Sequence, residues 1–187
     1  MLTPDDRTCW MLLIRHGATA NNRAVPPRLQ GRRTDPELSP EGRDQATRTA
    51  RFLENLPISH VFSSPLLRAR QTAEHIAGAH GLPVEVLPAI TEVDVGIWEG
   101  MSWEQVEAQY PEAYRAFMSN AAENPYFDGE TMASVRDRVV PAFAELVEQH
   151  RGRWIVVVAH NVVNRVYLAH LLDIPIFKYR TIPQDNC

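Results

Sequence analysis

Lysine is nearly absent from this sequence: of its 19 basic residues only Lys178 is a lysine, and the rest are arginine. Asp and Glu together number 23, which leaves a formal net charge of -4, and no Lys/Arg stripe is present. Nucleic-acid binding rests on neutralising many phosphates, so no nucleic-acid partner is expected. Cysteine is scarce. Cys9 and Cys187 sit at opposite ends with no CxxC pair, which indicates neither a disulfide framework nor a zinc site. No apolar run reaches the ~18 residues of a membrane helix, and Met1 to Asp6 lack the basic-then-apolar build of a secretion signal. There is no repeat and no low-complexity stretch. These absences predict a cytoplasmic protein with no membrane partner, no metal and no cofactor. Net charge says little about any one arginine, which carries information only where its position gives it a task.

What is present is ordinary globular composition: 187 residues, 44% hydrophobic and 22% charged. That predicts one domain over residues 1–187 with a sizeable core. Trp10-Met11-Leu12-Leu13-Ile14 reads as a buried strand ending on Arg15-His16-Gly17. Ser39-Pro40 reads as a helix cap followed by proline in the first turn, opening a helix to about Leu56 that buries Ala46, Ala50 and Leu53. His60-Val61-Phe62 is a short strand, with His60 capping its entrance. Ser64-Pro65 repeats the cap-and-proline signal for a helix to about Ala79, and Val84 to Leu87 is another strand. Ser102 with Gln105 forms a capping box. Met132, Val135, Val139, Phe143 and Leu146 mark one face of a helix that Pro141 should kink. Trp154 to Ala159 is the strongest strand, ending on His160-Asn161 before a helix to about Leu172. Strands alternating with helices predict an α/β fold with a mostly parallel sheet covered on both faces. Ligands bind beyond the carboxyl ends of such strands, and two strands here end on histidine.

His75, His80, His150 and His170 fall on or beside predicted helices and need no functional reading. His16 differs, because Arg15 precedes it, Gly17 follows it, and Thr19 and Asn22 come within the next turn. That set supplies a nucleophile, a cation, a close backbone approach and two hydrogen-bonding side chains, all of use to a phosphate dianion. No G-x-S-x-G, H-x-H, H-E-x-x-H or P-loop sequence offers a competing chemistry.

The segment Leu13-Ile14-Arg15-His16-Gly17-Ala18-Thr19-Ala20-Asn21-Asn22 resembles the signature of the histidine phosphatase superfamily, in the branch of phosphoglycerate mutases and related phosphatases. The likeness continues through Gln30-Gly31, Asp35, Leu38-Ser39, Gly42 and Gln45-Ala46, then through Ser63 to Ala73. Glu92 with Gly96-Ile97-Trp98-Glu99-Gly100 follows, then Gly129-Glu130-Thr131 with Arg138, and lastly His160. The resemblance implies an α/β/α sandwich of three layers. It implies His16 as the nucleophile that becomes phosphohistidine, and Arg15 and Arg68 as cations on the phosphate. His160 would bind the phosphate when protonated, and Glu92 would be the proton donor, in preference to Asp94 or Glu99. Gly17, Thr19, Asn22, Gln30, Gly31 and the Asn161 backbone are the implied substrate contacts. Arg70 is either a secondary contact or an outward helix residue.

Two positions depart from the family pattern: Ala18 where glutamate is frequent and Asn161 where glycine is common. The chain stops at Pro183-Gln184-Asp185-Asn186-Cys187, about where the family leads one to expect a further strand; either that strand is missing or this branch is short, and an exposed edge strand near the C-terminus would support a homodimer. The compact span from Glu92 to His160, and Val93-Asp94-Val95 after the acid, resemble the phosphatase type. The expected function is therefore metal-independent hydrolysis of a small phosphorylated metabolite. The alternatives are mutase-type phosphoryl transfer and a non-catalytic binder of phospho-ligands. Residues 93–128 are expected to form a lid or specificity wall, with Tyr110, Tyr114, Phe117, Tyr126 and Phe127 facing the substrate or packing the lid onto the core. Arg23, Arg28, Arg32 and Arg33 either attract a second anionic group or form a solvated loop.

Overall fold

The computed structural model describes residues 5–187, so most of the Met1–Asp6 segment lies outside it. The elements are β1 (Trp10–Arg15), α1 (Ala20–Arg23), α2 (Pro40–Leu53), β2 (Ile58–Ser63), α3 (Leu67–His80), β3 (Val84–Val86), α4 (Trp103–Gln109), α5 (Pro111–Ser119), α6 (Met132–Gln149), β4 (Trp154–Ala159) and α7 (Asn161–Leu171). Single-turn 3-10 segments lie at Pro88–Ile90 and Gly96–Trp98, and a longer one at Ile176–Thr181. The strands form one sheet in the order β1-β4-β2-β3, every pair parallel. Among the described residues no helix is long and apolar enough to cross a membrane.

The sheet divides the core in two. Side chains alternate along a strand, so in β4 Ile155, Val157 and Ala159 face one cluster and Val156 and Val158 the other. The first cluster is closed by Val135, Val139 and Phe143 of α6 and by Val163 and Val166 of α7. The second is closed by Ala50 and Leu53 of α2 and by Ala69, Ala73 and Ile76 of α3. Each fully buried Val or Ile contributes about 1.5–3 kcal/mol. The apolar stripes of four helices therefore fix a three-layer α/β/α sandwich, as the alternating pattern and the family resemblance predict.

Caps set where the helices begin. Ser39 accepts a hydrogen bond from the Gly42 amide at 3.1 Å, and Thr131 accepts one from the Ser134 amide at 3.0 Å. Ser102 and Gln105 complete a reciprocal capping box on α4. α6 runs as one helix through Pro141.

Several expectations are corrected. β1 is one edge of the sheet, with β4 its only neighbouring strand among the described residues, so its residues are half-buried or exposed and not fully enclosed. α2 ends at Leu53, short of Leu56. α3 begins at Leu67 with Leu66 at its N-cap and no side-chain cap bond. The Ser64 hydroxyl has another partner, described below. His60 lies inside β2 and packs against His150, ring centroids 4.3 Å apart. Apart from these corrections, no strand follows β4 among the described residues. The tail after Thr181 turns back to the end of β1, where the Gln184 carbonyl accepts from Arg15 and Asn186 Nδ2 donates to the His16 carbonyl at 2.7 Å.

Candidate active site

The strand carboxyl ends deliver the polar residues. Arg15 ends β1 and His16 follows it; Ser64 follows β2; His160 follows β4; Glu92 lies just past the turn after β3. Arg68 is the second residue of α3 and is fully buried. His16 and Glu92 are each 3% exposed and His160 is fully enclosed; His16 and Glu92 line the cavity described below, whereas Arg68 and His160 do not.

His16 is fixed at both ring nitrogens. Nδ1 lies 2.7 Å from the Gly17 carbonyl, which only accepts. Arg68 Nε, which only donates, lies 3.3 Å from Nε2. The proton therefore sits on Nδ1 and the lone pair on Nε2. Burial and the cations of Arg68 and Arg15 push the His16 pKa well below its ordinary value, against the opposing pull of the Gly17 carbonyl. Arg68 is held by the Gly31 carbonyl at 2.8 Å, the Thr34 carbonyl at 3.4 Å and, at 3.8 Å, the Asp35 carboxylate.

The His160 ring faces that of His16, centroids 5.2 Å apart. Its Nε2 is 2.7 Å from the Ser64 hydroxyl, and its buried Nδ1 has no partner. Burial together with Arg68, His16, Arg15 and Arg138 pushes its pKa well down. Those surroundings disfavour a charge on His160 in the free protein, and an arriving phosphate dianion is what would favour the protonated form.

Glu92 receives the Val93 amide at 3.0 Å and, from the first turn of α7, the Val162 amide at 3.3 Å. Burial outweighs those amides and the arginines, and its pKa is raised. Asp94 and Glu99 have other tasks. Asp94 accepts from Arg33 Nε at 2.8 Å and from the Gly96 amide at 2.9 Å, and these outweigh its burial to lower its pKa. Glu99 accepts from the Gly31 amide at 2.8 Å and the Thr34 hydroxyl at 2.7 Å.

A cavity of about 370 Å³ opens over His16 and Glu92. Arg15, Asn22, Gln30 and Asn161 line it, but Thr19, Gly17 and Gly31 do not. Thr19 is buried and donates to Gln30 Oε1 at 2.6 Å. The Gly17 amide is bound to the Thr72 hydroxyl. A Cβ on Gly17 would lie 2.4 Å from the Gly42 carbonyl, and one on Gly31 2.6 Å from the Val93 carbonyl, so both glycines permit backbone packing. The Asn161 side chain accepts from Arg165 at 2.8 Å. Of the five aromatics flagged in residues 110–128, only Tyr126 reaches the cavity; Phe117 is in the core, and Tyr110 packs with Phe127. Arg70 points outward to Glu74, and Arg32 and Arg33 are tied to Asp94.

Sequence reasoning missed Ser64, Trp103, Arg165, Tyr179 and Arg180. Arg165 has a faint signal, one helical turn after Asn161; Tyr179 and Arg180 have none, because the chain returns to the cavity only in three dimensions. Among the described residues no cluster of three or more His, Cys, Asp or Glu side chains is arranged to hold a metal ion.

The family model for the histidine phosphatase superfamily, branch 1, matches residues 11–187. Phosphoserine phosphatase 1 of Hydrogenobacter thermophilus is 35% identical over 176 residues, covering 94% of this chain and 82% of that protein. Phosphoglycerate mutase-like protein 4 of Arabidopsis thaliana is 37% identical over 159 residues, covering 83% of this chain and 67% of its own. The crystal structure of a phosphoserine phosphatase from Entamoeba histolytica in complex with 3-phosphoglyceric acid superposes with a TM-score of 0.84 at 29% identity, covering 95% of this chain and 87% of that one. With histidines at two parallel strand ends and the family's blocks in order around them, the chain belongs to the histidine phosphatase superfamily, branch 1, and is a phosphatase.

Proposed function

We propose that the chain is a single catalytic domain that hydrolyses a small phosphorylated metabolite in the cytoplasm, without a metal, through a phosphohistidine on His16. The observation that carries this reading is the preset lone pair on His16 Nε2, bracketed by the Gly17 carbonyl and Arg68 Nε beneath the cavity. Nε2 attacks phosphorus while the ester oxygen departs and takes the proton of Glu92. Arg15 and Arg68 hold the phosphoryl oxygens, and His160 supplies further charge as the dianion raises its affinity for a proton. Water then attacks the phosphohistidine, giving its proton to the Glu92 carboxylate. Inorganic phosphate leaves, and His16 regains its lone pair. A buried carboxyl with a raised pKa suits both proton steps.

Asn22, Gln30 and Asn161 line the space for substrate, and residues 93–128 provide one wall through Val93, Val95, Trp103 and Tyr126. Relatives named as a phosphatase and as a mutase-like protein make the acceptor the point to test. Wild type and His16→Ala are assayed on a panel of phosphomonoesters without added metal, and the acid lability of any phosphoprotein is measured. Acid-labile label on the wild type and loss of turnover in the variant are expected; unchanged hydrolysis in His16→Ala would sink the mechanism. With 3-phosphoglycerate, release of inorganic phosphate is expected to dominate over isomerisation.

A further inference from the structure

One block of the family likeness, Gly129-Glu130-Thr131 with Arg138, takes no part in the proposed phosphoryl transfer, yet it lies against the loop that carries Glu92. Thr131 caps α6, and Arg138 stands two turns along that helix. A helical side chain leans toward the N-terminus, so Arg138 reaches back to Glu130. The two form a forked pair, Nε to Oε1 at 3.1 Å and Nη2 to Oε2 at 3.2 Å. A Cβ on Gly129 would collide with the Asp94 carbonyl, and without one the segment before α6 lies flat on that loop. There the Glu130 amide donates to the Asp94 carbonyl at 2.9 Å, and Glu130 Oε2 accepts from the Asp94 amide at 2.8 Å.

Arg138 also crosses the loop itself. Its Nη1 donates to the Ala89 carbonyl at 2.6 Å and its Nη2 to the carbonyl of Glu92 at 3.3 Å. Among the described residues, the backbone of residues 88–94 makes no hydrogen bond beyond its own loop except these two and the pair with Glu130. Ile90 and Val93 are buried in the core, but apolar contact is non-directional and does not fix the pitch of a backbone. The Glu92 carboxylate takes one bond from the neighbouring Val93 amide, which moves with it, and one of 3.3 Å from the Val162 amide. The planar fork of Arg138 therefore sets where the Glu92 backbone lies, and Glu130 orients that fork.

We propose that Arg138, oriented by Glu130, is the positioning residue of the proton donor: it grips the loop on both sides of Glu92 and aims that carboxyl at the departing ester oxygen. The group touches neither substrate nor His16 and acts only through Glu92. This deepens the phosphatase reading and rests on it, since it needs Glu92 to be the donor. A displacement of about 1 Å in a reacting group costs on the order of 10²-fold in rate, so a slack loop should be costly even with Glu92 intact.

The test measures kcat/KM for 3-phosphoglycerate, whose leaving alkoxide needs a proton, and for p-nitrophenyl phosphate, whose phenolate leaves without one. The ratio of the first to the second reports the proton step and does not depend on how much of a variant is folded. It is expected to fall about tenfold to a hundredfold in Arg138→Gln. Arg138→Lys should recover part of that loss, because one ammonium cannot serve both carbonyls and Glu130 together. Glu130→Gln keeps the shape but frees the fork, so it should shift the ratio the same way, and it decides the matter if Arg138→Gln does not fold. In a Glu92→Gln background, Arg138→Gln should lower the ratio no further, because the acid it aims is gone. An unchanged ratio in the Arg138 and Glu130 variants, or the same fall with and without Glu92, would overturn the positioning role and leave Glu92 as donor. An unchanged ratio in Glu92→Gln itself would overturn the reading beneath it. Hydrolysis of neither ester by the wild type would overturn both.

Discussion

Arg68 Nε lies 3.3 Å from His16 Nε2, a cation donating to the nitrogen proposed to attack phosphorus. The contact keeps a proton off Nε2 and places a guanidinium where phosphoryl oxygens will lie. Lysine carries the charge but not the fork, and cannot reproduce the bonds to His16 and to the Gly31 carbonyl together. Arg68→Lys is expected to lower kcat/KM about 10²–10³-fold, the range for losing one fixed donor to transition-state charge. Steady-state kinetics on any accepted ester checks it; a loss below threefold would show that the fork is dispensable.

In the proposed mechanism Glu92 acts twice, and the two steps can be parted by the choice of ester. Glu92→Gln keeps the shape but has no proton to exchange. A loss of about 10²–10⁴-fold is expected for an alkyl phosphate, whose leaving oxygen needs protonation. With p-nitrophenyl phosphate the first step should survive while the second stalls. Rapid quench should then find the variant accumulating acid-labile phosphoenzyme that the wild type does not.

The pH profile of kcat/KM follows from the directions of two shifts. His16 must be neutral, and its pKa lies well below 6.5, so the acid limb should fall well below pH 6.5. Glu92 must be protonated, and its pKa is raised above 4.5, so the alkaline limb should lie higher than for an ordinary glutamate. In Glu92→Gln the residual activity should lose the alkaline limb.

Stability should depend on pH through the same buried groups. His16 and His160 have folded pKa values well below the 6.5 of an unfolded imidazole, so the unfolded chain binds more protons once pH falls under about 6.5. Their contribution is intact above that value and is lost as pH falls toward the folded pKa values, with a slope of at most about 1.4 kcal/mol per pH unit for each group. Glu92 runs the other way: its raised pKa favours the fold below about 4.5 and costs stability as pH rises through the folded value. Denaturant melts of wild type and His160→Phe between pH 4 and 7 should show a shallower acid loss in the variant.

The Ser64 hydroxyl is 2.7 Å from His160 Nε2, and both side chains are buried. Ser64→Ala leaves that nitrogen without a partner, at a cost of about 1–3 kcal/mol. A fall in the denaturant midpoint together with a shifted pH profile is expected; a fall in midpoint alone would make Ser64 only a packing residue.

Much of this molecule is legible in the residues alone. The continuous apolar run of β4 and the stripe of α6 follow from which faces must leave water. Ser39, Ser102 and Thr131 cap helices through bonds within three residues, so local chemistry sets those starts. His16, Glu92 and His160 are visible because each follows an apolar strand or falls in a family block. Ser64 was read only in part for the same local reason: its hydroxyl accepts a long 3.4 Å bond from the Leu66 amide, but its shorter contact is with a histidine 96 positions away. β1 looked buried because an apolar run does not reveal how many neighbours its strand will have.

Sequence by itself determined the sandwich, the two histidines at strand ends and the arginine that precedes the first of them, because these depend on periodicity and on neighbours a few residues apart. Only the tertiary structure decided the His16 tautomer, the surroundings that disfavour a charge on His160, the tasks of Asp94 and Glu99, and the gathering of Arg28, Arg165 and Arg180 at one cavity. Each of those depends on donors, charges and burial supplied by segments distant in the chain, and no local pattern carries that information.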